Sequence, residues 1–141
     1  MTTLLDAFGL VAYLADEQCA AEVEELLRVG SAVSALNLAE TIDRMARIYD
    51  REVDTDIDSM VAGGLDVLAV DAGIGRRAGR LRAIHFHAVR APVSLADCVA
   101  AATALGHDMA LATSDGPLAA LVTTEGGRVV PLPDSNGVRP G

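Results

Sequence analysis

The sequence predicts an α/β fold built on a largely parallel sheet. Short apolar runs of strand length alternate with helical patterns along almost the whole chain, which is the signature of strand–helix–strand units. The 141 residues are 51% apolar yet include only two Phe, two Tyr and no Trp. A core of Ala, Val, Leu and Ile favours close packing of helices on a sheet over aromatic clusters. The length suits one domain with a real core.

The elements follow in order. Residues 2–5 form a short β-prone run ending at Asp6. Residues 8–15 read as a helix with Phe8, Val11, Ala12 and Ala15 on one side, and residues 17–29 as an amphipathic helix. In that second helix Val23, Leu26 and Leu27 oppose Glu22, Glu24 and Glu25, and Gly30 is its stop. Residues 31–35 are a second strand candidate. Asn37 is placed as the cap of a helix through Leu38, Ile42, Met45 and Tyr49, with Glu40 three residues on, as in a capping box.

Asp50, Glu52, Asp54, Asp56 and Asp58 then alternate as in a calcium loop. From Asp54, however, that loop would need Gly at 59 and Glu at 65, and Ser59 and Leu65 stand there. A solvated connection and an acidic helix start explain the run better. Residues 65–70 read as a buried strand and residues 72 to about 88 as an arginine-bearing helix with Ile74, Ala78, Leu81 and Ile84 or His85 along one side. A helix over 94–106, a strand over 109–112, a helix over 118–122 and a strand over 128–132 complete the domain, 1–132. The polar tail, 133–141, contains Pro and Gly and reads as a flexible end. No repeat and no linker stand out.

Charge and missing residue types exclude several functions. The net charge is −9, and all 11 basic residues are Arg. Without lysine there is no phosphate-binding P-loop, no Schiff base and no lysine general base. Bulk nucleic-acid affinity is disfavoured, because phosphates need local positive potential. One segment supplies it: no acid occurs between Ala72 and Ala96, where Arg76, Arg77, Arg80, Arg82 and Arg90 fall with His85 and His87. The two histidines are two apart, so on a helix they diverge and do not share an ion. Cys19 and Cys98 lack metal or redox spacing and read as buried free thiols. With no secretory pattern and no apolar stretch near the roughly 20 residues that span a bilayer, a cytoplasmic protein is expected.

Four acids carry the chemistry. Asp6 ends the first strand, Glu40 lies early in the helix after the second, and Asp115 follows the strand over 109–112. In a parallel sheet these positions share the edge beyond the strands' carboxyl ends, where ligands bind. Asp97 opens a helix but follows no evident strand, so pattern alone leaves its convergence open. Each acid also has a capping or turn role available; Ser94 and Asp97, for example, fit a capping box. Four carboxylates on one edge repel unless cations sit among them, and an all-oxygen set suits Mg²⁺ or Mn²⁺. Such an ion activates water and stabilises the leaving oxygen in phosphodiester hydrolysis.

Leu4-Leu5-Asp6, the run from Ser34 to Glu40, the run from Ser94 to Ala104, and Leu111-Ala112-Thr113-Ser114-Asp115 together resemble the successive motifs of PIN domains. The nearest resemblance is to VapC-type toxin ribonucleases of bacterial toxin–antitoxin pairs. Order and spacing agree up to about residue 132. The resemblance implies a PIN-like α/β/α sandwich with a central, mainly parallel sheet of about four to five short strands. It also implies a Mg²⁺- or Mn²⁺-dependent endoribonuclease, a homodimer, and inhibition by a VapB-type antitoxin. Carried over by position, Asp6, Glu40, Asp97 and Asp115 would be the catalytic, metal-binding acids, with Thr113 supporting them.

Two departures stand out. Ala7-Phe8 follow the first Asp where the family often has Ser or Thr, and Gly116-Pro117-Leu118 lack the further acid frequent there. The four main acids are intact, while ligands for a second ion are fewer. Arg76, Arg77 and Arg80 could track RNA phosphates or could pair with surplus acids. DNA would be reached only through the antitoxin, since the chain has no helix-turn-helix signal. A catalytically weak PIN-like binding module and a different Mg²⁺-dependent phosphohydrolase are the alternative readings.

Overall fold

The computed structural model describes residues 2–141. Five short strands, β1 (Thr3–Leu5), β2 (Ser31–Ser34), β3 (Asp66–Leu68), β4 (Ala110–Thr113) and β5 (Val129–Pro131), form one sheet. Their order is β3-β2-β1-β4-β5, and every pairing is parallel. The helices are α1 (Ala7–Leu14), α2 (Ala20–Val29), α3 (Ala35–Tyr49), α4 (Asp54–Ala62), α5 (Ala72–His85), α6 (Leu95–Gly106) and α7 (Gly116–Thr124).

The register explains the layering. Leu4 pairs with Ala32 and Leu111, and Leu5 with Val33 and Ala112. Because successive strand residues face opposite sides, the first trio packs with α5, α6 and α7 through Ile74, Ala78, Leu81, Val99 and Leu118. The second trio packs with α1 and α2 through Leu10, Cys19 and Val23. A third cluster of Val11, Leu14, Met45, Val53 and Ile57 joins α1, α3 and α4. The inner side of α6 is Cys98 followed by small residues, and all of Ala100, Ala101, Ala102 and Ala104 are buried. That small surface lets a helix approach the sheet closely without aromatic filler. Both cysteines are buried free thiols, and burial pushes the Cys98 thiol up to about 11.

Several element boundaries differ from the sequence expectation. The helix expected from Asn37 begins at Ala35, because the Ser34 hydroxyl accepts the Asn37 N–H at 3.0 Å and caps it. The helix expected from Glu17 begins at Ala20, after turns over 18–19. The run over 65–70 is an edge strand: Leu65 is buried, but Asp66 and Val67 are exposed, since nothing pairs beyond β3. Asp50 ends α3 in the left-handed conformation, at φ 51°. The acidic residues after it open α4, with Asp54 and Asp56 in its first turn. Leu10, Val11 and Leu14 of α1 lie in the core.

The tail is engaged with the body of the domain. Asp134 organises a turn through the Asn136 and Val138 N–H groups. The Arg139 guanidinium then meets both carboxylate oxygens of Glu22 on α2, at 2.9 and 2.6 Å, and donates to the Pro131 carbonyl of β5. Among the described residues no helix is long and apolar enough to cross a membrane.

Candidate metal and phosphodiester site

The chain winds from β1 outward to β3, then returns to β4 on the other side of β1. The strand order therefore reverses between β1 and β4, and a crevice opens beyond their carboxyl ends. Asp6 follows β1 directly and Asp115 follows β4 by one residue, so the switch point is flanked by carboxylates. A cleft of about 210 Å³ lies there, lined by Asp6, Asn37, Glu40, Arg44, Asp97 and Asp115 with Ala7, Phe8 and Ser114. All four predicted acids thus line one cleft, Asp97 included. Larger cavities exist, about 360 Å³ between α1, α2 and α4 and about 580 Å³ beside α7, β5 and the C-terminal residues. Neither gathers this chemistry.

Each acid is fixed by a local hydrogen bond. Asp6 caps α1, its Oδ1 accepting the Gly9 N–H at 2.9 Å, and it is only 6% exposed. Thr113 is buried opposite it and its hydroxyl hydrogen-bonds the Asp6 carboxyl, while Thr113 Oγ1 accepts the Asp115 N–H at 3.0 Å. Asp115 caps α7 through the Leu118 N–H at 2.9 Å. Asp97 closes a capping box: its Oδ2 accepts the Ser94 N–H and its own N–H donates to Ser94 Oγ, at 2.9 and 3.0 Å. Capping and site roles are compatible, because the cap bonds of Asp115 occupy one oxygen and leave the other for the cleft.

Glu40 is held from its own helix. The buried Asn37 donates from Nδ2 to Glu40 Oε1 at 2.9 Å and to the Ala96 carbonyl at 3.4 Å, next to Asp97. Its Oδ1 accepts the Ser34 hydroxyl at 2.6 Å. Asn37 therefore joins the end of β2, α3 and the start of α6, a role that its reading as a simple cap missed. Arg44 was also missed. Asn37, Glu40 and Arg44 are spaced by three and four residues, which puts them on one helix face, and that spacing was the available signal.

The electrostatics are those of crowded acids. Burial raises the Asp6 carboxyl to about 6, against the lowering effect of the Thr113 and Gly9 hydrogen bonds, and the charges of Asp97 and Asp115 push the same way. Asp97 is raised as well, first by burial and further by Asp115. Hard carboxylate oxygens under mutual repulsion are a donor set suited to Mg²⁺ or Mn²⁺. As the side chains are placed, no three acid, His or Cys groups among the described residues stand within joint ligating reach of one ion.

The arginines expected to follow RNA do not line this cleft. Arg76 and Arg80 are exposed on α5, and Arg77 lines a separate cavity with Asp108, Glu125 and Arg128. None of the three forms an ion pair among the described residues, so the alternative of pairing with surplus acids is not realised. His85 instead meets Glu125 at 2.8 Å, and His87 points its Nδ1 at the Val89 and Arg90 N–H groups. The two histidines share no partner.

Comparison with known proteins agrees with this architecture. VapBC from Salmonella typhimurium, solved bound to DNA, is similar at TM-score 0.67 and 19% identity, over 92% of this chain and 98% of that one. FitAcB from Neisseria gonorrhoeae is similar at TM-score 0.66 and 20% identity, over 92% and 96%. Mycobacterium tuberculosis VapC20, described as a sarcin–ricin loop cleaving toxin, is similar at TM-score 0.63 and 17% identity, over 85% and 94%. At these identities the likeness is one of fold. No curated protein matches the sequence. The PIN domain family model matches residues 3–121, most of the chain, and the protein belongs to the PIN domain family.

Proposed function

We propose that this protein is a Mg²⁺- or Mn²⁺-dependent endoribonuclease of the VapC toxin type. The observation that carries the reading is the meeting of Asp6, Glu40, Asp97 and Asp115, from four separate elements, in one cleft at the switch point of a parallel sheet. Asp6, Asp97 and Asp115, with Glu40, would hold the ion. When bound, it supplies water activation and stabilisation of the charge that develops on the phosphate and the leaving oxygen. Thr113 keeps Asp6 and the start of α7 together, and Asn37 keeps Glu40 beside the start of α6. No Ser, Cys or His nucleophile is needed.

A VapB-type antitoxin would neutralise the enzyme, and a homodimer is the expected assembly; solved neighbours with VapBC or Fit names include several bound to DNA. DNA would be contacted through that partner. Arg76 and Arg80, exposed on α5, are available to RNA phosphates outside the cleft.

The placement of the acids outside joint ligating reach supports a second reading, a PIN fold that binds RNA without cutting it. The two separate on cleavage of a mixed structured-RNA pool with Mg²⁺ or Mn²⁺, wild type beside Asp97→Asn. Asparagine keeps an oxygen for the Ser94 N–H, so the cap survives and only the charge is lost. Discrete metal-dependent products that vanish in the variant support the nuclease. Equal products from both proteins remove Asp97 from the site, and no products with bound RNA favour the binding module.

A further inference from the structure

We propose that Arg44 is the group of this cleft that receives an RNA phosphate, next to the acids and on the Glu40 side. The inference rests on the nuclease reading and names a substrate contact within it. Arg44 is the single basic residue lining the cleft. It is half-buried and, among the described residues, has no hydrogen bond or ion pair.

That freedom is built in. Glu40 precedes Arg44 by four residues, the spacing at which a Glu and an Arg on a helix ordinarily pair. Here Asn37 holds Glu40 by Nδ2 at 2.9 Å. The adjacent acid, Asp43, is taken by Arg47 at 3.0 Å on the exposed side. Asn37 thus occupies one oxygen of Glu40 and Arg47 pairs with Asp43, while the Arg44 guanidinium, with no hydrogen bond of its own among the described residues, lines a cleft built around negative charge.

Its chemistry suits a phosphate. Guanidinium donors match phosphate oxygens in pairs, and an unpaired one loses no partner on binding. The need is also clear: with a net charge of −9, the protein repels a polyanion unless a cation stands where the backbone enters. Arg76, Arg77 and Arg80 do not line the cleft, which leaves Arg44 for the phosphate nearest the acids.

The test is steady-state cleavage of a fluorescein-labelled RNA in Mn²⁺ by wild type, Arg44→Ala, Arg44→Gln and Arg44→Lys, repeated across salt concentrations. Arg44→Ala and Arg44→Gln are expected to raise KM about tenfold with kcat within about threefold. The slope of log KM against log salt should fall by about 0.7, as for one lost phosphate contact on a single strand. Arg44→Lys should recover part of the KM, and Mn²⁺ should raise the thermal midpoint of all four proteins equally. Unchanged KM and salt slope in both neutral variants overturn the assignment. So does faster cleavage with stronger Mn²⁺ stabilisation in Arg44→Ala, which would make Arg44 a rival of the metal. Absence of cleavage by wild type fails the nuclease reading itself, a result separate from either of these.

Discussion

Asn37 holds Glu40 by a 2.9 Å bond from Nδ2 to Oε1, and the same nitrogen reaches the Ala96 carbonyl. One buried amide therefore fixes a cleft acid and ties α3 to the helix that carries Asp97. Asn37→Ala removes this tie and leaves the buried Ser34 hydroxyl without its acceptor. A stability loss of about 1–3 kcal/mol is expected, read as a lowered urea midpoint. RNA cleavage should fall further than the loss of folded protein explains, because Glu40 is released.

Asp6 links stability to pH. Its folded carboxyl sits at about 6, above the ordinary 3.8. In the metal-free protein the native state thus binds more protons than the unfolded chain between those values. Stability contributed by the protonated group is present below about pH 4 and is lost as pH rises through 6. The two-unit rise corresponds to roughly 3 kcal/mol. Asp6→Asn keeps the α1 cap, since asparagine also accepts from Gly9, and removes the charge. In EDTA this variant should be more stable than wild type at pH 7.5 and should lose the decline between pH 4 and 6. Parallel pH profiles for the two proteins would show that Asp6 does not titrate in this window.

Thr113→Val keeps the shape but deletes the hydroxyl that bonds Asp6 and receives the Asp115 N–H. Two groups at the cleft lose their partner. We expect a cost of about 1–3 kcal/mol and a still higher Asp6 pKa, visible as an upward shift of the pH window above. Thr113→Ser should restore both.

Arg139 and Glu22 fasten the tail across β5. Arg139→Ala should expose the residues after Pro133 to limited proteolysis while leaving the thermal midpoint of the domain nearly unchanged. Equal proteolysis of wild type and variant would mean that the clasp does not hold in solution.

The sheet was legible because its strands are short apolar runs bounded by polar turns, and all five strand candidates pair. The boundary at α3 was not, because Ser34 and Asn37 are both capping residues and β2 runs into the helix without a loop. β3 reads as buried from its apolar letters, yet its place at the edge depends on pairing that no local pattern encodes. The four acids could be assigned to one edge from topology, except Asp97. Its convergence comes from α6 packing over the sheet, which brings Ala96 within reach of Asn37. Arg44 was hidden for a simpler reason. An Arg four residues after a Glu reads as a solvated helix pair, and only the structure shows Glu40 bonded to Asn37 and Arg44 lining the cleft.

If these carboxylates jointly hold a divalent ion, Mn²⁺ binds at the cleft and depends on each of them. Calorimetric titration of wild type, Asp6→Asn and Asp115→Asn, with the thermal midpoint followed in parallel, is the measurement. Wild type should bind saturably, with stabilisation of about 2.7 kcal/mol at a hundredfold excess over Kd, and each variant should lose both. Saturable binding of equal strength in all three proteins would place the ion away from these acids.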